Sequence, residues 1–126
     1  MPKEYYEKTL VEMSWEDFDC CVEKIVYEIL DKGIRKRPIY GIPKGGLVLA
    51  VALSNYLNWP LTTAYKDECL VVDDTSDTGE TLFKYKKPCN KIVTLYYNKD
   101  SKTVPDFYSL IQEKNEWIVF PWEKTL

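Results

Sequence analysis

The chain contains no histidine. That absence removes Ser-His-Asp and Cys-His arrangements and any histidine general base, and leaves nothing to complete a mixed cysteine–histidine zinc site. Cysteine is sparse, limited to Cys20, Cys21, Cys69 and Cys89. The adjacent Cys20-Cys21 pair is not a metal-ligand spacing, so the four read as buried or half-buried thiols in a reducing compartment. No apolar run reaches the ~18 residues that a membrane span needs, and no signal-peptide pattern is present. A large excess of one charge is missing too. The 17 Lys and Arg stand against 20 Asp and Glu, a net charge of −3 that leaves no footprint for nucleic acid or an anionic membrane. A soluble, cytoplasmic protein is expected, with neither nucleic acid nor membrane as a partner.

What is present is a chain of 126 residues with an ordinary hydrophobic fraction of 45%, read as a single domain over 1–126. Its most informative stretch runs from Cys69 to Leu82, CLVVDDTSDTGETL. The run Cys69-Leu70-Val71-Val72 is too short for a helix and predicts a buried strand. The carboxylates Asp73 and Asp74 follow, then a hydroxyl-rich loop, Thr75-Ser76-Asp77-Thr78-Gly79, and a helix start at Glu80-Thr81-Leu82. Such a loop suits a phosphate monoester, because the first N–H groups of a helix lack internal partners and Gly79 permits positive φ or close backbone approach. Thr75, Ser76, Thr78 and Thr81 add hydroxyl donors. The acid pair suits sugar hydroxyls or a hydrated Mg²⁺ instead. Adjacent acids at a strand end repel each other, which favours a ligand role over mere solubility.

Elsewhere, Ser14 is a good N-cap, with Glu16 and Asp17 in the first turn. Phe18, Val22, Ile25, Val26, Ile29 and Leu30 recur at helical spacing, and Gly33 is the stop. Arg35-Lys36-Arg37 reads as a solvated turn in preference to a phosphate contact. Pro38 to Ile42 predicts a short strand, Pro43-Lys44-Gly45-Gly46 a tight loop, and Leu47 to Leu57 an apolar helix. Leu61 to Tyr65 and Lys91 to Tyr97 are further strands, Asn98 to Thr103 is a polar loop, Pro105 to Ile111 is extended, and Trp117 to Phe120 is a last strand. Met1 to Val11 is either an extended arm or a packed segment. Alternating strands and helices predict an α/β domain with a small, mainly parallel sheet flanked by helices. The loops at Lys44 and Asp77 both follow strands, so they can face one crevice beyond the strands' carboxyl ends.

LVVDDTSDTGETL resembles the phosphoribosyl-pyrophosphate (PRPP) motif of the type I phosphoribosyltransferases. GIPKGGLVLA is similar to the pyrophosphate loop of that family, with Lys44 where many members carry Arg, so that the charge is kept and the bidentate fork is lost. Trp117-Ile118-Val119-Phe120-Pro121-Trp122-Glu123 is similar to the short C-terminal hood of the xanthine–guanine and hypoxanthine members, although the same residues read equally as an edge strand packing its aromatics.

The resemblance implies transfer of a phosphoribosyl group from PRPP to a nitrogenous base, a purine by the hood, giving a nucleoside monophosphate and pyrophosphate with Mg²⁺ as cofactor. It implies that Asp73 and Asp74 take the ribose hydroxyls and Mg²⁺ through water or PRPP. Asp77, Thr78, Gly79, Glu80 and Thr81, with Thr75 and Ser76, would take the 5′-phosphate. Lys44, Gly45 and Gly46 would take the diphosphate, Trp117 and Ile118 would contact the base, and Asp77 would be the catalytic base. A lysine after the fourth strand reads the purine oxygen in such relatives; here Asn98 holds that place, and a shift at the strand end would let Lys99, one residue later, take the role.

One departure stands out. Members carry a long mobile loop before the central strand, whereas Pro60 to Leu70 spans roughly 36 Å even fully extended at ~3.3 Å a residue. The covering loop is therefore missing, which leaves closure to the tyrosine-rich N-terminus or a partner subunit, or else leaves turnover poor. The alternative is a non-catalytic regulator that binds PRPP or a nucleotide on the same scaffold. A distant third is a phosphatase-like use of the acids, which the D-T-G-E-T loop argues against. Pairing into a homodimer would suit a chain this short.

Overall fold

The computed structural model describes residues 8–123. Five strands form an all-parallel sheet in the order β3-β2-β4-β5-β6: β2 (Ile39–Gly41), β3 (Leu61–Thr62), β4 (Leu70–Ser76), β5 (Lys91–Tyr97) and β6 (Phe107–Ile111). β4 and β5 lie at the centre. Leu70, Val71, Val72, Val93 and Leu95 are fully buried, as strands covered on both faces must be.

One face carries α1 (Trp15–Asp31) and α2 (Gly45–Leu57). Ser14 caps α1 as expected, its hydroxyl accepting from the Asp17 N–H while Asp17 accepts from the Ser14 N–H. Phe18, Val22, Ile25, Val26 and Ile29 form its buried face together with Cys21, while Leu30 is 58% exposed and lies off the stripe. α1 ends at Asp31, and Gly33 follows at φ +66°. The opposite face is thinner. There Ile42, Cys69, Val71, Leu82 and Ile92 are covered by Tyr40, Tyr65 and Tyr85 and by α3 (Glu80–Phe83), a single turn.

The two ends of the described chain meet. β1 (Thr9–Glu12) pairs in parallel with β7 (Glu116–Val119), and a short 3₁₀ turn, Pro121–Glu123, follows. So residues 9–12 of the N-terminal segment form a strand. Tyr5 and Tyr6, which could close the site, lie outside the described residues. This hood packs by aromatics: Phe120 stacks on Trp122 at 4.9 Å, and Trp122 meets Phe18 edge-on at 5.6 Å.

Two predicted strands differ in length. β3 stops at Thr62, because Tyr65 turns back to pack on Tyr85 at 4.8 Å and donates its hydroxyl to Asp67. β4 runs on through the acids to Ser76, since it keeps pairing with β5 up to Ser76↔Tyr97. Residues 63–69, between β3 and β4, form this packed turn and no long loop. Among the described residues, no helix is long and apolar enough to cross a membrane.

Candidate functional site

The carboxyl ends of β2, β4 and β5 carry the predicted residues. Asp73 and Asp74 sit in the second half of β4, with the Asp74 N–H donating to Asp73 Oδ1 at 2.9 Å and the Thr75 N–H donating to Asp74 Oδ1 at 2.8 Å. Burial, and then the neighbouring Asp74 carboxylate, push the Asp73 carboxyl up to about 8. The acid pair is therefore a place where negative charge is held at a cost and a cation or hydroxyl donor would be welcome.

α2 begins directly beside this pair. A Cβ on Gly45 would collide with the Asp74 carboxylate, and a Cβ on Gly46 would collide with the Val72 carbonyl. Both glycines are thus required by the approach of the α2 N-terminus to β4, before any ligand is considered. Lys44 precedes them, exposed, joined to Pro43 by a cis peptide and making no side-chain cap bond to the helix.

Beyond β4, a cavity of about 200 Å³ is lined by Asp73, Asp74, Thr75, Asp77, Thr78, Gly79, Glu80, Thr81 and Leu82. Gly79 adopts φ +82°, and a Cβ there would strike Ser101 and the Thr103 N–H, so it needs both of the freedoms glycine offers. The loop after β5 braces this turn. The Lys102 N–H donates to the Thr78 carbonyl at 3.0 Å, Thr103 Oγ1 donates to the Gly79 carbonyl at 2.7 Å, and Lys102 pairs with Glu80 at 2.9 Å. Ser76 belongs to the brace and not to the cavity: it is buried, and its hydroxyl bonds Ser101 Oγ and the Thr103 carbonyl. Since α3 is one turn long, its dipole adds little, and the donors that an anion would meet here are the Thr78 and Thr81 hydroxyls and the loop itself.

A second cavity, about 150 Å³, is lined by Asp74, Thr75, Asp77, Gln112, Trp117, Ile118, Phe120 and Glu123. Ile118 is buried at its back, and Trp117 is 41% exposed at its rim, with Lys8 over the indole at 5.5 Å. The two cavities share Asp74, Thr75 and Asp77, so a hydroxyl-lined recess, the acids and an aromatic wall follow one another in that order.

Two side chains sharpen the picture. Asn98 donates to Asp77 Oδ1 at 3.0 Å and so fixes that carboxylate, whereas Lys99 is exposed in the turn after β5 and lines neither cavity. The structure brings together the acid pair, Asp77, Thr78, Gly79, Thr81, Trp117 and Ile118, and does not bring in Lys99. Gln112 escaped the sequence reading. It is 8% exposed, accepts from Thr75 Oγ1 at 3.1 Å and donates to the Glu116 carbonyl at 3.1 Å, tying the hood to the end of β4. A lone glutamine after an extended stretch carries no signal of that role.

Among the described residues, no group of three or more Asp, Glu or Cys side chains gathers as a metal cage. The acid pair alone fits a Mg²⁺ that keeps most of its waters or shares ligand oxygens, which is the usual habit of that ion.

No family model matches the chain. Solved structures do. A purine phosphoribosyltransferase from Pyrococcus horikoshii Ot3 superposes with TM-score 0.77 at 28% identity, covering 93% of this chain and 96% of that one. A Helicobacter pylori xanthine-guanine-hypoxanthine phosphoribosyltransferase gives TM-score 0.75 at 19% identity, with 91% and 94% covered. A hypothetical protein from Neisseria gonorrhoeae with bound ppGpp gives TM-score 0.77 at 19% identity, with 93% and 90% covered. The chain has the type I phosphoribosyltransferase fold, and its neighbours include phosphoribosyltransferases that act on purines.

Proposed function

We propose that this protein transfers the phosphoribosyl group of PRPP to a nitrogenous base, a purine by the nature of its aromatic wall. The observation that carries the reading is the shared lining of the two cavities: Asp74, Thr75 and Asp77 stand between a hydroxyl-lined recess and the Trp117–Ile118 wall. A ribose 5-phosphate with a base at C1 has its phosphate, diol and heterocycle in that same order.

In this reading, Thr78, Gly79, Glu80 and Thr81 hold the 5′-phosphate and Asp73 and Asp74 accept from the ribose hydroxyls, while Thr75, its N–H given to Asp74 Oδ1 and its hydroxyl to Gln112 Oε1, braces the wall between them. Lys44 and the Gly45 N–H face the diphosphate, whereas the Gly46 N–H is given to the Ile42 carbonyl at 2.9 Å. The C1–O bond breaks and pyrophosphate leaves with the electron pair. The base nitrogen donates its lone pair to C1, and its proton passes to the Asp77 carboxylate. Asn98, which holds Asp77 Oδ1, leaves the other oxygen to receive that proton. Trp117 stacks on the heterocycle and Ile118 closes its far side. Mg²⁺ held by Asp73 and Asp74 would offset the charge that builds on the leaving group. Pinning of Asp77 and Gln112 in advance of substrate lowers the ordering cost of the reaction.

A second reading, a non-catalytic protein that binds PRPP or a nucleotide at the same place, is favoured by the short packed turn at 63–69, which offers no cover for the reacting groups. The Neisseria gonorrhoeae protein of this fold, solved with bound ppGpp, supports such a role for the scaffold.

Incubation with Mg²⁺, PRPP and each of guanine, xanthine, hypoxanthine, adenine, uracil and orotate, with pyrophosphate and nucleotide followed, separates the two. Nucleotide formed from a purine is the expected result. Stabilisation by PRPP with no product from any base would favour the second reading.

A further inference from the structure

The amino ends of the strands, opposite the site described above, carry a cavity of about 300 Å³ lined by Arg35, Lys36, Arg37, Lys91, Glu68 and Cys89. Four cations face one carboxylate there, in a chain whose net charge is −3. Among the described residues, none of the four makes an ion pair. The lysines next along the surface do: Lys86 pairs with Asp106 at 3.7 Å and Lys87 with Asp67 at 3.1 Å. The unpaired charge of the concavity is thus bounded on the Lys86–Lys87 side by lysines that are already neutralised.

Arg37 is held in place there. Its Nε–H donates to the Arg35 carbonyl at 3.1 Å and its Nη1–H to the Cys89 carbonyl at 3.3 Å. Its remaining N–H groups have no partner among the described residues. A guanidinium oriented in advance by backbone carbonyls loses little freedom on meeting an anion, and its planar fork matches phosphate oxygens. Like charges gathered in a concave, partly desolvated place repel one another unless a counter-charge arrives, and the field there is focused. A monoanion would leave most of that charge unmatched.

We propose that this cavity is a second ligand site, for a small molecule bearing a chain of two or more phosphates. The size of the cavity and the neutralised lysines at its edge favour a compact polyphosphate over a nucleic-acid backbone, which needs a continuous basic track. β5 separates the two sites: it begins at Lys91 in this cavity and ends at Tyr97 beside Asn98, roughly 20 Å away at ~3.3 Å a residue. The proposal does not depend on how the Asp73–Thr81 site is read.

Cys89, half-buried in the cavity wall, makes a local reporter, and the exposed Cys20 on α1 is its control. Alkylation of each cysteine by iodoacetamide, followed by peptide mass spectrometry, is measured with and without inorganic triphosphate. At a concentration about ten times Kd, triphosphate slows alkylation of Cys89 about tenfold and leaves Cys20 unchanged. In the double variant Arg35→Gln/Lys91→Gln, whose native side chains make no hydrogen bond among the described residues, the protection, measured against that variant's own unliganded Cys89 rate, is lost. Lys36→Gln weakens protection in the same direction and serves if the double variant does not fold. Nucleoside triphosphates protect like triphosphate if the site reads only the phosphates. No protection at millimolar triphosphate, protection unchanged in the charge variants, or stronger protection by single-stranded RNA than by triphosphate would each overturn the proposal.

Discussion

Asp73 keeps a proton that an aspartate in water would have lost. Burial and the Asp74 carboxylate beside it hold its carboxyl up to about 8 against an ordinary 3.8. The folded protein then binds more protons than the unfolded chain between those values, so this group makes stability fall as pH rises from about 4 to about 8. In the ligand-free protein, the melting midpoint across that window should drop more steeply for the wild type than for Asp73→Asn, which carries no titrating group there. Parallel profiles for the two would remove the buried charge from the account. The glycines beside the pair give a second test at this scale. Gly46→Ala forces a methyl against the Val72 carbonyl, which is backbone and cannot step aside. It should cost about 1–3 kcal/mol in urea unfolding. Gly45→Ala meets only the Asp74 side chain, so it should cost less stability while weakening PRPP binding more.

At the scale of elements, the loop after β5 determines how well the site is formed. Asn98 fixes Asp77, while Ser101 and Thr103 fasten Ser76 and Gly79. Asn98→Ala should leave the fold intact and, if Asp77 is the proton acceptor as proposed, lower kcat by about 10–100-fold with little change in KM for PRPP, because that carboxylate is no longer held in register. Equal turnover in steady-state assays would deny Asn98 a positioning role.

Much of this was legible beforehand. The strands around Val71 and Val93, the Ser14 cap and the Gly79 turn are local features, written in short runs, a capping pair and one residue that tolerates positive φ. What escaped was non-local. The buried partner of Ser76 lies on another loop, so its hydroxyl reads as a ligand donor until Ser101 is seen beside it. β1 is a strand only because Leu10 and Val11 find Trp117 and Ile118 at the far end of the chain. Gln112 and the grouping of Arg35–Arg37 with Lys91 likewise exist only once the sheet has formed.

Over the whole molecule, the parallel sheet sorts charge by end. The acids, the hydroxyl-lined recess and the aromatic hood gather at the carboxyl ends of the strands, and a cluster of four cations lines a cavity at the amino ends. Ligands of open parallel sheets bind beyond the carboxyl ends, so a phosphorylated ribose is expected in the Asp73–Thr81 site. The direct measurement is calorimetric titration of PRPP with Mg²⁺ into the wild type and into Asp74→Ala, each checked for folding by its melting curve. A saturable 1:1 component present in the wild type and lost in the folded variant is the predicted result. No PRPP binding to the wild type, or the same binding in both proteins, would contradict the account.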